Sequence, residues 1–231
     1  MTDITALCES GDIEPLRERL DAEPDLIDAP GPHGWHPIFH AAFRKQAAVV
    51  RLLLDRGADI SVGDGYVMHF AGEVPGNQEI VSLLVAHGGI DAHLRPADDL
   101  SRQFLSAVFL NEAERVESLA IRHPHLLTQH DGRGDLPIHH AARNGATDIV
   151  TRMLAHKADP NARTESGQTV LYCAGGHGHT DTVRVLLDAG ADPSVPFTDD
   201  GKTLREWLRP YETDEMFAPV VALLDERAAT P

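Results

Sequence analysis

Residues 134–142 read GDLPIHHAA, and the prediction of the fold rests on this segment. A short polar turn follows it, then an apolar run at 149–154 (IVTRML), and then Lys-Ala-Asp at 157–159. Related segments occur at 34–42 (GWHPIFHAA) and at 167–175 (GQTVLYCAG). Recurrence of one segment along the chain predicts a stack of similar structural repeats rather than a fold with one central core.

Each repeat carries signals for a pair of helices, and the period is 33 residues, the distance from Gly134 to Gly167. Thr169 can cap a first helix through its hydroxyl, and Pro137 sits where a first-turn proline loses no needed hydrogen bond. The second helix has apolar residues at three- and four-residue spacing, and Gly190 suits the left-handed conformation that ends a helix. The pair cannot bury its apolar face alone, so we expect stacking.

The pattern resembles the ankyrin repeat, whose consensus contains Thr-Pro-Leu-His and ends in Gly-Ala-Asp. The match rests on residues 137–139 (Pro-Ile-His), 141–142 (Ala-Ala) and 189–192 (Ala-Gly-Ala-Asp). This resemblance implies an all-α solenoid of stacked antiparallel helix pairs with capping units at both ends. It also implies a hairpin finger before each first helix, and a structural role for His139, which would hydrogen-bond backbone between fingers.

We expect a single ankyrin-repeat domain over residues 1–231. The predicted units are an N-terminal cap at 4–28, repeats at about 29–61, 62–92, 93–129, 130–162 and 163–195, and a C-terminal cap at 196–231. The repeat at 93–129 is degenerate, because it lacks the Thr-Pro-Leu-His stretch and an evident finger. Residues 104–127 instead echo residues 4–27 at a separation of 100 residues, which indicates an internal duplication.

The charge balance excludes some classes of partner. Asp and Glu number 36 against 20 Lys and Arg, and the formal net charge is −16. A chain with this charge repels phosphate backbones, and no Lys/Arg cluster offsets it, so we expect neither nucleic acid nor an anionic membrane as a partner. The basic residues are mostly Arg, which favours a GC-rich bacterial source.

The sequence predicts a cytoplasmic location. The N-terminus has no basic segment followed by an apolar run, as a signal peptide would have, and no apolar stretch approaches the 18 residues that span a membrane. The two cysteines, Cys8 and Cys173, are far apart in sequence. We expect both thiols to be free, as is usual in a reducing compartment, and a disulfide between them is the alternative.

The resemblance places partner contacts at four positions of each repeat, on the concave side. Two flank the glycine of the finger and two follow the paired alanines. The predicted partner-binding residues are His33, Trp35, Phe43, Arg44, Arg133, Asp135, Arg143, Asn144, Gln168 and His177. Trp35 and Phe43 give the sharpest signal, because large apolar residues at positions that the fold need not bury are typical of interface hot spots. The alternative for Trp35 is packing on the N-terminal cap.

A second hypothesis is a small-molecule site or an enzyme active site. A missing finger in the degenerate repeat would leave a notch, with Tyr66, His69 and Glu73 on one side and Arg133, His140 and Arg143 on the other. Convergent polar groups in a concave site are the usual sign of a ligand pocket. The alternative is that a loop at 91–103 fills the notch.

We predict that the protein is not an enzyme and carries no cofactor. The sequence contains no phosphate-binding loop, nucleophile elbow, zinc-protease helix or dinucleotide fingerprint. The fourteen histidines do not predict a metal site. The closely spaced pairs, His123 with His125 and His177 with His179, have no Cys or carboxylate partner at ligand spacing. His69 is expected to share the structural role of His139. Self-association through the apolar patch remains a third hypothesis.

Overall fold

The computed structural model describes residues 3–31, 34–74, 76–197 and 201–228. Within these ranges the chain is all-helical, with fifteen α-helices and no strand, as the sequence predicts. The chain forms two compact parts, Met1–Arg95 and Pro96–Pro231, called here the N-terminal part and the C-terminal part. The prediction of one continuous domain stays a prediction.

The N-terminal part is a stack of helix pairs. Its helices are α1 (Ile4–Ser10), α2 (Ile13–Ala22), α3 (Pro37–Phe43), α4 (Ala47–Asp55), α5 (Tyr66–Glu73), α6 (Gln78–Ala86) and α7 (Gly89–Leu94). The first helices form one row, with α3 packed against α1 and α5. The second helices form another row, with α4 packed against α2 and α6, and α7 packs against α5 and α6.

The C-terminal part repeats this plan. Its helices are α8 (Asp99–Phe109), α9 (Ala113–Arg122), α10 (Pro137–Arg143), α11 (Thr147–Ala155), α12 (Val170–Gly175), α13 (Thr180–Asp188), α14 (Leu204–Trp207) and α15 (Ala218–Ala228). One row runs α8, α10, α12 and α14, and the other runs α9, α11, α13 and α15. Each row buries the apolar stripes of its helices against their neighbours, as stacked repeats require.

The helix ends follow the chemistry expected of them. Thr169 accepts a hydrogen bond from the backbone N–H of Tyr172 at 3.1 Å and so caps α12. Pro137 is the first residue of α10. Gly190, which follows α13, has φ of 94°, a conformation that is strained for a residue with a side chain. The finger before α12 is a short hairpin, with an antiparallel bridge between Arg163 and Thr169.

The internal duplication is visible in the helix bounds. Helices α2, α3 and α4 begin and end 100 residues before α9, α10 and α11, and the 3₁₀ turn Pro24–Asp28 has its counterpart in Pro124–Thr128. Helices with the same bounds therefore form in both parts although many of their side chains differ.

The prediction of a loop at 91–103 is wrong, because most of this segment is helical and belongs to α7 and α8. The Asp98 side chain caps α8 by accepting from the Ser101 backbone N–H at 2.8 Å. Phe104 and Leu105 of the same helix are buried. A cap followed by apolar residues at helical spacing is sufficient to start a helix here.

The core is aliphatic, as the low aromatic content of 5% predicts. Leu53 and Val49 in the N-terminal part, and Ile149 and Leu186 in the C-terminal part, are fully buried. Each such side chain contributes roughly 1.5–3 kcal/mol on burial. Cys8 and Cys173 are both free and buried, which excludes the disulfide alternative. In the described ranges no helix has both the length and the apolar character needed to cross a bilayer.

Candidate functional site

Five of the twelve aromatic residues of the chain lie together in the N-terminal part. Trp35 precedes α3, and the other four lie on α3 and α5 at one-turn spacing, which places each pair on one helix face. These five residues, called here the aromatic surface, are Trp35, Phe39, Phe43, Tyr66 and Phe70. Such concentration is notable in a chain that uses aliphatic residues for its core.

The rings of the aromatic surface form a continuous network. Trp35 lies 4.5 Å from Phe39 and 5.9 Å from Phe43, measured between ring centroids. Phe39 stacks on Tyr66 at 5.8 Å and contacts Phe70 at 5.0 Å, and Phe70 lies 5.6 Å from Phe43. All these distances fall in the range of favourable aromatic pairs, each of which contributes about 0.5–1.5 kcal/mol beyond its burial. The network therefore holds the rings in fixed positions.

Three rings of this network remain open to solvent. Trp35 and Phe43 are each 42% exposed and Tyr66 is 48% exposed, whereas Phe39 beneath them is only 8% exposed. The ring contacts of Trp35 are with Phe39, Phe43 and His40 of its own repeat. A rigid apolar patch with an accessible outer face results.

A charged group borders the aromatic surface. The Arg44 guanidinium lies 5.5 Å from the Phe43 ring centroid, within the range of a cation–π contact. Its Nη2 and Nε atoms donate to Glu9 Oε2 at 3.0 and 3.2 Å. Glu9 Oε1 lies 2.8 Å from His40 Nδ1. Hydrogen bonds from His40 and then from Arg44 lower the pKa of the Glu9 carboxyl, so Glu9 is ionised at neutral pH.

The equivalent positions of the C-terminal part are polar. Asp135 occupies the position equivalent to Trp35, and Arg143 occupies the position equivalent to Phe43. Arg143 donates to the Asp135 carboxylate at 3.2 Å and to Gln168 Oε1 at 3.3 Å. The same helix pair therefore folds with an internal polar network where the N-terminal part exposes aromatic rings.

Two family models match the sequence of the chain. A family model described as three copies of the ankyrin repeat matches residues 104–196, and a model of the single ankyrin repeat matches residues 33–65. Together the two matches span more than half of the chain. The protein belongs to the ankyrin repeat family. The resemblance read from residues 137–139 and 189–192 is thus confirmed.

Curated relatives share this repeat. The chain is 29% identical to the nuclear factor NF-kappa-B p105 subunit of Gallus gallus over 201 residues, which is 83% of this chain and 20% of that protein. It is 29% identical to the B-cell lymphoma 3 protein homolog of Mus musculus over 164 residues, or 69% of this chain and 36% of that protein. An ankyrin repeat-containing protein of Schizosaccharomyces pombe is 36% identical over 63 residues, 27% of this chain and 30% of that protein.

This ankyrin repeat chain therefore spans only about a fifth to a third of the length of these relatives. Among solved structures, the ankyrin repeat domain of Bcl-3 has a TM-score of 0.45 and 22% sequence identity, covering 95% of this chain and 98% of that one. The relatives come from animals and a fungus, so the bacterial source suggested by the arginine content is not borne out.

The other predicted partner-binding residues of this ankyrin repeat protein differ in their exposure to solvent. Arg143 is 6% exposed, and its contacts with Asp135, Gln168 and the Cys173 sulfur at 3.5 Å hold it inside the C-terminal part. Arg143 is therefore not available to a partner as the sequence predicts, because a guanidinium buried between repeats uses its donors on groups inside the protein. Arg133 is exposed at the finger tip. Asn144, Gln168 and His177 are half-buried, and His33 lies outside the described residues.

The residues of the predicted notch belong to different parts of the ankyrin repeat chain. In the N-terminal part, His69 Nε2 lies 2.9 Å from Glu73 Oε1 and the His69 ring lies 5.4 Å from Tyr66. In the C-terminal part, His140 Nε2 lies 2.7 Å from the Asp131 carboxylate, and both side chains are buried. The notch stays a prediction.

The two ankyrin histidines expected to be equivalent differ. His139 Nδ1 accepts from the Leu136 N–H at 3.0 Å, and its Nε2 lies 3.2 Å from the Ala162 carbonyl oxygen, as a structural His between fingers should. Burial lowers the pKa of His139 to about 4. His69 instead pairs with Glu73, so its predicted backbone role is wrong. Across the described residues no group of three or more His, Cys, Asp or Glu is placed to hold a metal ion.

Proposed function

We propose that this chain is a non-enzymatic protein-binding module whose partner docks on the aromatic surface. Ankyrin repeat membership supports a role in protein–protein interaction in general. The choice of the aromatic surface, defined above by Trp35, Phe39, Phe43, Tyr66 and Phe70, is the finer part of the proposal. It adds three residues to the predicted partner-binding Trp35 and Phe43. These are Phe39 and Phe70, which support the exposed rings, and Tyr66, which the sequence assigned to the notch.

The observation that carries the proposal is the contrast between the duplicated repeats. Helices α3 and α10 have the same length and the same place in their stacks. At the equivalent positions α10 carries Arg143 and is preceded by Asp135, which satisfy each other internally. Because α10 forms with a polar pair at these positions, a helix with these bounds does not require Trp35 and Phe43, and recognition of a partner explains their exposure.

The composition of the surface fits an interface hot spot. Trp, Tyr and Arg are the residues most enriched at hot spots, and truncation of a central anchor costs about 2 kcal/mol or more. Trp35, Tyr66 and Arg44 are all accessible, at 42% and 48% for the rings and 53% for the Arg44 side chain. The network of ring contacts reduces the side-chain entropy lost on binding, which favours affinity.

Charge favours a partner of a different kind over a second copy of the chain. Two chains that each carry a net charge of −16 repel one another. A partner with a neutral or positive docking face avoids this repulsion. Self-association is therefore the weaker alternative. The small-molecule notch is weaker still, since Tyr66 is part of the aromatic surface and His69 pairs with Glu73.

Affinity capture tests the proposal. The full chain is immobilised and compared with the double variant Trp35→Asp/Phe43→Arg, which installs the pair that the C-terminal part has at these positions. We expect proteins captured by the wild type to be lost from the variant. Tyr211→Ser is the matched control, because Tyr211 is 45% exposed but lies in the C-terminal part. Equal capture by all three chains would contradict the proposal.

A further inference from the structure

We infer that Glu9, on the N-terminal helix α1, is a positioning residue for the aromatic surface. This inference rests on the proposed function, because it concerns the same surface. Its claim is that helix α1 is part of the recognition element: Glu9 fixes the Arg44 guanidinium over Phe43 and supports the His40 ring against Trp35. A helix that only capped the stack would have no such effect.

The contacts of Glu9 reach the aromatic surface at two places. One carboxylate oxygen accepts two hydrogen bonds from Arg44, the residue that lies over the Phe43 ring. The other lies 2.8 Å from His40 Nδ1, and the centroid of the His40 ring lies 5.7 Å from that of Trp35. Glu9 thus contacts His40, which lies against Trp35, and Arg44, which lies over Phe43. These two residues are 31 and 35 positions away from Glu9 in sequence.

The duplicated repeat shows that these contacts are not a requirement of the fold. Phe109 has the place of Glu9, and it touches His140 through a ring contact at 5.5 Å. His140 takes its carboxylate partner from Asp131 instead. In the N-terminal part Gly31 stands where Asp131 would be, and a Cβ there would lie 2.6 Å from the Thr5 methyl carbon.

The carboxylate that faces the buried histidine has therefore a different source in each part. In the N-terminal part it comes from α1, and the same carboxylate also binds Arg44, a residue replaced by Asn144 in the other copy. Glu9, Trp35, Phe43 and Arg44 differ together between the copies. The chain of contacts from His40 through Glu9 to Arg44 is therefore particular to the N-terminal part.

The His40 ring makes the dependence on Glu9 sharper. His40 is 5% exposed, and its other nitrogen, Nε2, has no hydrogen-bond partner among the described residues. Removal of the Glu9 carboxylate would leave both ring nitrogens of a buried side chain without a partner. Such a side chain moves or admits water, and the Trp35 ring that packs on it moves too.

Tryptophan fluorescence tests the inference without the partner. The chain has two tryptophans, so Trp207→Phe leaves Trp35 as the sole reporter. In this background Glu9→Ala is expected to change the emission of Trp35 and its quenching by acrylamide in the folded state. Glu9→Gln, which keeps an acceptor for Arg44 and polar contact to His40, is expected to restore much of the parental signal.

Two controls separate positioning from simple stability. Leu7→Ala removes a buried side chain from the same helix but keeps the carboxylate, and Glu14→Ala removes an exposed acid of α2. Both are expected to leave Trp35 quenching of the folded protein unchanged. If Glu9→Ala also leaves it unchanged, or if Leu7→Ala changes it as much, the inference is overturned and Glu9 only secures the cap.

A binding measurement distinguishes failure of the inference from failure of the proposed function. Once a captured partner is identified, Glu9→Ala is expected to weaken its binding and Glu9→Gln to recover part of the affinity. Full affinity in Glu9→Ala, with binding abolished in Trp35→Asp/Phe43→Arg, would overturn the inference alone. Undiminished binding by Trp35→Asp/Phe43→Arg would overturn the proposed function.

Discussion

His140 Nε2 lies 2.7 Å from the Asp131 carboxylate, with both side chains buried in the C-terminal part. The equivalent His40 contacts Glu9 through the opposite ring nitrogen, Nδ1. Two copies of one repeat thus give a buried histidine a carboxylate partner by different routes. The route through Asp131 stays within one repeat, whereas the route through Glu9 ties the first repeat to the helix before it.

Asp131→Ala should destabilise the C-terminal part. The substitution leaves His140 without its partner and also removes the acceptor for the backbone N–H groups of Arg133 and Asp135. We expect the free energy of unfolding, measured with urea, to fall by about 2–3 kcal/mol. Asp148→Ala breaks an exposed contact with Arg152 and should cost no more than about 0.5 kcal/mol. Equal losses in the two variants would contradict the role given to Asp131.

Stability should fall between pH 6.5 and 4 because of His139. Burial lowers its pKa to about 4 from the usual 6.5. The unfolded chain therefore takes up a proton in this interval that the native chain does not, so the free energy of unfolding decreases as the pH falls. We expect this residue to account for roughly 2–3 kcal/mol of the decrease.

His139→Gln isolates that contribution, since glutamine retains a donor for the Ala162 carbonyl and does not titrate. Urea unfolding at a series of pH values is expected to give a flatter profile for this variant than for the wild type. Parallel profiles would show that His139 does not titrate as its burial implies.

Much of the fold could be predicted from the sequence, because local signals agree with stacking. Thr169, Pro137 and Gly190 each mark a helix end that the structure confirms. The repeat consensus does not predict the helix that begins after Asp98, because the sequence there departs from it. The local signal for this helix is the Asp98 cap followed by the apolar Phe104 and Leu105, and it is not part of the ankyrin consensus.

The candidate site could be predicted only in part. Trp35 and Phe43 follow from their positions in the repeat, but the contact of Phe39 with Phe70 depends on how α3 and α5 pack side by side. The burial of Arg143 cannot be predicted from its own repeat, because it depends on Gln168 from the next repeat. The contacts of Glu9 cannot be predicted for the same reason, since its partners lie 31 and 35 residues away in sequence.

The chain should be monomeric in dilute solution. Its net charge of −16 opposes contact between copies, while the aromatic surface would favour it. Static light scattering over a range of concentrations is expected to give the mass of one chain for the wild type and for Trp35→Asp/Phe43→Arg alike. A wild-type dimer that the double variant abolishes would show that the surface serves self-association.

The affinity of the captured partner for the aromatic surface is the most direct test of the account. Titration calorimetry should compare the wild type, Trp35→Asp/Phe43→Arg and the control Tyr211→Ser, after circular dichroism has shown that all three have the same helix content. We expect the double variant to lose about 2 kcal/mol or more of binding free energy and Tyr211→Ser to bind as the wild type does. Wild-type affinity in the double variant would contradict the central claim that the partner docks on these rings.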